Sequence, residues 1–152
     1  MAPNATELEA APRLRTVVGR LSRMLRRTDS GSAGGLAPTQ VTVLLTADRQ
    51  GSIRLADLGE REGLNPTLLS RTVAALLADG LIARSADPGD RRSAWISATD
   101  AGRAVARRIR KERTAAVQIG LDALGDDDRA QLEAALPALE RLTAVLVERE
   151  GR

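Results

Sequence analysis

The stretch Leu55-Ala-Asp-Leu-Gly-Glu-Arg-Glu-Gly-Leu-Asn-Pro-Thr-Leu-Leu-Ser-Arg71 decides the fold. Leu55 to Glu62 reads as a short helix around Leu58, and Gly63 stands where a residue in the left-handed region ends a helix. Leu64 then turns inward. Asn65-Pro66 starts a new helix, because an Asn side chain accepts backbone N–H groups at the cap and the fixed φ of proline suits the first helical position. The small residue at Gly59 lets the two helices approach closely. Leu58, Leu64, Leu69, Val73 and Leu76 are placed to fill the space between them. A short helix, a tight turn and a well-capped second helix have the spacing of a helix-turn-helix, whose second helix enters the major groove.

Downstream, that second helix runs to about Asp79 and Gly80 ends it. Leu81–Ser85 and Ser93–Ser97 read as strands on either side of Asp87-Pro-Gly-Asp-Arg-Arg92, a hairpin that makes a small wing. Thr99 caps a long fifth helix reaching about Leu121, and Asp126 or Asp127 caps a sixth that runs nearly to the C-terminus. In the sixth, Leu132, Leu136, Leu139, Leu142 and Leu146 form a stripe, with a kink or local break expected at Pro137.

Upstream, residues 8–28 repeat apolar side chains at Leu14, Val17, Val18, Leu21, Met24 and Leu25, a spacing of three and four that predicts one helical face. Thr28-Asp-Ser-Gly-Ser-Ala-Gly-Gly35 predicts a loop. Pro38 and Thr39 open a second helix with Val41, Val43, Leu44 and Leu45 mostly inward. It ends near Gln50-Gly51, and Ser52-Ile53-Arg54 is extended. The expected fold is mainly α with a small β wing, a winged helix-turn-helix of order ααβααββαα. Residues 1–37 supply an N-terminal dimerisation helix and loop, 38–99 the DNA-binding domain, and 100–152 the linking and dimerisation helices.

Composition narrows the function. With 152 residues and 43% apolar content there is room for one compact domain and an extension that needs a partner. No stretch has the roughly 18 to 20 apolar residues of a membrane span, and the first residues lack the order of a signal peptide, so a cytoplasmic protein without membrane contact is expected. The absence of Cys and His excludes thiol redox sensing, disulfides and the usual soft-metal sites; no metal or cofactor is expected. Trp95 is the lone aromatic residue, so platforms for stacking single-stranded bases are missing and a duplex is the better target. The net charge of +3 is uneven: residues 122–150 hold eight acids and three arginines, against nineteen bases and twelve acids in residues 1–121.

On the fourth helix the faces left over near its start are Thr67, Leu68, Ser70 and Arg71, next to the cap Asn65. Arg71 is a base reader, since its planar fork can bind guanine through two hydrogen bonds, or else a phosphate clamp or a solvated arginine. Leu68 is suited to a thymine methyl. The wing presents Arg91 and Arg92, and an arginine is favoured in a narrow minor groove. Asp90 would hold the Arg92 guanidinium and fix its direction, or else cap its own turn. Thr39 and Gln40, at the start of the second helix, are phosphate candidates, with ordinary capping the alternative. Arg103, Arg107, Arg108, Arg110, Lys111 and Arg113 of the fifth helix read mostly as a solvated face.

The run from Leu58 to Gly102 resembles the MarR family of bacterial regulators. The matching pieces are Leu64-Asn-Pro-Thr-Leu-Leu-Ser-Arg71, Leu76 with Gly80-Leu-Ile-Ala-Arg84, Asp87-Pro-Gly-Asp-Arg-Arg-Ser93, and Ile96-Ser-Ala-Thr99 with Ala101-Gly102. Leu68, where the family often has a small polar residue, and Ala98, where Leu is common, depart from the pattern. The resemblance implies a homodimer whose first and last helices interleave with the partner's. It also implies two winged helices on a pseudo-palindromic operator, repression as the usual sense, and frequent release by a small ligand such as an aromatic carboxylate. It places Ser70 and Arg71 on the recognition helix, Asp90 and Arg92 in the wing pair, and Arg84 within the DNA-binding motif. Independently, stripes at Leu14, Val17, Val18 and Leu21 and along the last helix would leave much apolar surface bare unless a second chain covers it. The rival reading is an architectural winged-helix DNA binder without an effector. An enzyme is not expected, since His, Cys and Tyr are missing and no Gly-rich phosphate loop follows a strand.

Overall fold

The computed structural model describes residues 5–86 and 94–150. Helices α1 (Ala5–Ser32) and α2 (Pro38–Gln50) are followed by strand β1 (Ile53–Arg54), helices α3 (Leu55–Arg61) and α4 (Pro66–Ala78), strands β2 (Ile82–Ala86) and β3 (Ala94–Ala98), and helices α5 (Asp100–Asp122) and α6 (Asp126–Glu150). The order matches the expectation. Residues 1–114 form one compact unit and 115–152 a second.

The three strands form an antiparallel sheet in the order β1-β3-β2. Ile53 pairs with Ile96 and Arg54 with Trp95, while Ile82 pairs with Ala98, Arg84 with Ile96 and Ser85 with Trp95. Along β3, Ala94, Ile96 and Ala98 alternate inward, as one buried sheet face requires. Ile96 and Ala98 meet Val43, Leu44 and Ala47 of α2, Leu58 of α3, and Leu69, Val73 and Leu76 of α4. Leu44, Leu58, Leu76 and Ile96 are fully enclosed. A second small cluster joins Ala33, Val41 and Ile109.

Strand β2 begins one residue later than the sequence predicts. The reason lies at the end of α4. Gly80 takes φ +67°, its N–H donates to Leu77 O at 3.0 Å, and the Leu81 N–H donates to Leu76 O at 3.0 Å. Leu81 therefore completes the helix cap and the ladder starts at Ile82. The same arrangement closes α3: Gly63 takes φ +61°, and the Leu64 N–H donates to Gly59 O at 2.9 Å.

Three further expectations are corrected. Residues 28–32 are the last turn of α1 rather than a loop. Asp29 is paired with Arg113 and Ala33 is buried, so tertiary contacts outweigh the poor helix propensity of Ser and Gly. Helix α6 passes through Pro137 unbroken; the Ala and Leu residues on either side favour a helix, so the proline removes one bond without ending the element. Finally, α6 starts at Asp126 after Gly125, whose carbonyl accepts the Arg129 N–H at 3.1 Å. Asp126, Asp127 and Asp128 thus stand in the first turn, where the helix dipole favours carboxylates.

The apolar stripes are bare in this single chain. On α1, Leu14, Val17, Val18 and Leu21 are exposed; on α6, Leu132, Leu136, Leu142 and Leu146 are exposed and Leu139 is half-buried. No helix is long and apolar enough to cross a membrane among the described residues.

Candidate nucleic-acid interface

Helix α4 is set by its two faces. Leu69, Thr72, Val73 and Leu76 are buried against the core, which forces Thr67, Leu68, Ser70 and Arg71 outward, and all four are exposed. Leu68 is 38% exposed, a large apolar side chain left in solvent at the helix start. The Asn65 Oδ1 accepts the Leu68 N–H at 2.9 Å, so the cap read from sequence is made. That bond pins the first turn and fixes where Thr67 and Arg71 point.

Close packing of α3 on α4 is what presents this turn. A Cβ at Gly59 would lie 2.9 Å from Leu69 Cδ2. The Thr46 hydroxyl, buried on α2, donates to Glu62 Oε1 at 2.5 Å and ties α2 to the end of α3. Arg84 is exposed on β2 opposite Ile96, and with Ser70 it lines a groove of about 750 Å³ between α3, the start of α4 and the base of the wing. The structure thus brings Asn65, Thr67, Leu68, Ser70, Arg71 and Arg84 to neighbouring elements. Asp90, Arg91 and Arg92 lie outside the described residues. Thr39 and Gln40 are at the start of α2, where Thr39 shares a small groove with Glu62 and Leu64 of the α3–α4 turn, and the Gln40 Oε1 accepts the Ala37 N–H at 2.7 Å and so acts as a cap.

The base of the wing is braced from both ends. On one side the Arg54 guanidinium lies 5.3 Å from the centre of the Trp95 ring, a cation–π contact across β1 and β3. On the other, the Thr99 hydroxyl accepts the Gly102 N–H at 3.0 Å and donates to Gly80 O at 2.7 Å, locking the start of α5 to the end of α4.

Sequence reasoning missed the ion pairs of α5. Three of its arginines bond acceptors of the fold, although Arg103 and Arg110 remain close to half exposed. Arg103 donates to Ala98 O and to Asp100 Oδ1, both at 2.6 Å; Arg110 donates to Asp48 Oδ2 at 2.6 Å; Arg113 holds Asp29. The arginine hydrogen bond holds the exposed Asp100 carboxyl below its ordinary pKa, and the bonds from Arg113 to Asp29 raise the pKa of that guanidinium further. The only signal in the sequence was the spacing of seven and three between Arg103, Arg110 and Arg113, which puts them on one helix face. Asp100 is only three positions from Arg103, but the acidic partners of Arg110 and Arg113 are far away along the chain.

Among the described residues no group of acidic side chains could hold a metal ion. The family model described as MarR family matches residues 36–94, which span α2 to the first residue of β3. An uncharacterized HTH-type transcriptional regulator of Mycobacterium bovis is 29% identical over 108 residues, covering 71% of this chain and 74% of that protein. The HTH-type transcriptional repressor MdtR of Bacillus subtilis is 32% identical over 68 residues, covering 45% of this chain and 44% of that one. A solved structure from Pseudomonas aeruginosa superposes with a TM-score of 0.80 at 29% identity, covering 93% of this chain and 98% of that chain.

Proposed function

We propose that this chain, whose residues 36–94 match the MarR family model, is a DNA-binding transcriptional regulator of that family rather than an enzyme, and a homodimeric repressor of a pseudo-palindromic operator. The observation that carries this reading is the first turn of α4, where Thr67, Leu68, Ser70 and Arg71 are exposed together on a helix pinned by its own cap. This turn enters the major groove of each half-site. Arg71 supplies the planar fork for guanine, and Leu68 the apolar contact for a thymine methyl. Arg92, outside the described residues, is assigned to the adjoining minor groove, with Asp90 as the group that would fix its direction. Arg84, Arg91, Thr39 and Gln40 position the phosphate backbone, and Asn65 supports them by shaping the helix start.

Residues 38–99 act as the DNA-binding domain. The exposed stripes of α1 and α6 are covered by a second copy, with residues 1–37 and 100–152 as the dimerisation parts. Repression is supported by the name of the B. subtilis relative. Release by a small ligand is supported by a cavity of about 300 Å³ beside the end of α1, lined by Arg26, Asp29, Leu36 and Val41. Arg26 and the apolar wall suit an aromatic carboxylate, the Asp29 carboxylate in the same lining being already paired with Arg113.

The test is selection of bound duplexes from a random pool, followed by titration against competitor DNA. Recovery of a palindromic site bound at least about a thousandfold more tightly than competitor is expected. Equal affinity for all duplexes would sink the operator reading in favour of an architectural binder. On the selected site, Arg71→Ala should weaken binding by roughly 1–3 kcal/mol and relax the preference at one position. Arg92→Ala should weaken binding outside the central contacts, as measured by mobility shift. Unchanged titrations for both would leave the winged helix without a role on DNA.

A further inference from the structure

The end of α1 is held in a way its sequence does not suggest. Local propensity disfavours a helix at Asp29-Ser-Gly-Ser32, yet the helix includes it. The Asp29 residue is only 7% exposed. Its carboxylate accepts two parallel hydrogen bonds from Arg113 of α5, Nε to Oδ1 at 2.9 Å and Nη2 to Oδ2 at 2.6 Å. Such a fork fixes plane and direction as well as distance, which a single bond does not. Just beyond, Ala33 is buried with Val41 and Ile109. The end of α1 is therefore fastened to α5 and α2, while its exposed stripe lies one long lever away.

The length of that lever decides the argument. At 1.5 Å of rise per residue, Leu14 stands about 22 Å along the axis from Asp29, so a tilt of about 10° at the clamp moves Leu14 by about 4 Å. One base-pair step is about 3.4 Å. A small rotation at the ion pair thus displaces the stripe by more than the spacing between neighbouring base pairs. We propose that the Asp29–Arg113 pair is a positioning element that sets the direction of α1 and, through its stripe, the half-site spacing that a dimer accepts. The inference rests on the operator reading above.

The experiment uses the full chain and duplexes carrying two copies of the half-site it selects, with their separation varied one base pair at a time, and a duplex carrying one copy. Asp29→Asn keeps the shape and removes the charge; Arg113→Lys keeps the charge and removes the fork. Both are checked for helix content by circular dichroism. The wild type should prefer one spacing. Each variant should bind that spacing about tenfold more weakly, with the optimum broadened or moved, while affinity for the single copy stays within about twofold. An unchanged optimum of unchanged sharpness in either folded variant overturns the proposal, as does equal loss on one and two copies. A wild type with no preferred spacing overturns the operator reading and this inference with it.

Discussion

Gly59 and Gly102 both stand where a methyl group would collide, yet the obstacles differ. At Gly59 the nearest atom is the far end of the Leu69 side chain, which can rotate aside; at Gly102 a Cβ would lie 1.9 Å from the backbone oxygen of Leu81, which is fixed by the sheet and the α4 cap. Overpacking costs typically about 1–3 kcal/mol, so Gly59→Ala should sit near the bottom of that range and Gly102→Ala at or beyond its top. Urea denaturation of the two variants compares them directly; a larger loss at Gly59 would contradict this account. The role of Gly59 is legible in sequence because its partner helix follows within ten residues. That of Gly102 is not, since its obstacle is a backbone atom from another element.

Among the elements, the signals that could be read were local ones. Gly63, Asn65-Pro66, Gly80 and Thr99 each act on atoms within a few residues, and the boundaries they mark are found where they were expected, to within a residue. Where a distant partner decides, local reading fails, as in the last turn of α1, which depends on a side chain 84 positions away. The exposed quartet on α4 was legible because the buried set Leu69, Val73 and Leu76 leaves it no other direction. Pro137 sits inside α6 and withholds one helix hydrogen bond. Pro137→Ala should stabilise that helix by roughly 1–3 kcal/mol, read as a higher thermal midpoint by circular dichroism at 222 nm. An unchanged or lower midpoint would mean that the proline is worth more in restricting the unfolded chain.

For the whole molecule, the exposed stripes set the expectation. Leu21 is 57% exposed and Leu136 53%, and a charge at either position should oppose association with a second copy. Leu21→Glu and Leu136→Glu are each expected to shift sedimentation toward the monomer and to lower affinity for a two-half-site duplex more than for a single half-site. Sedimentation identical to the wild type for both would remove these faces from the dimer. Basic charge in the first 121 residues should also make DNA affinity fall steeply with salt, with a log–log slope of about −0.9 for each phosphate neutralised.

The contact between Arg54 and Trp95 has a use beyond bracing the wing. The chain has no Tyr or Phe, so its ultraviolet emission comes from a single indole at the wing's base, whereas circular dichroism weighs every helix. Unfolding curves from the two methods therefore watch different parts of one molecule. Coincident curves mean that residues 115–152 melt together with the winged helix; a dichroism loss that precedes the emission change means that the C-terminal unit gives way first. That single indole stands at the base of the wing proposed to meet DNA.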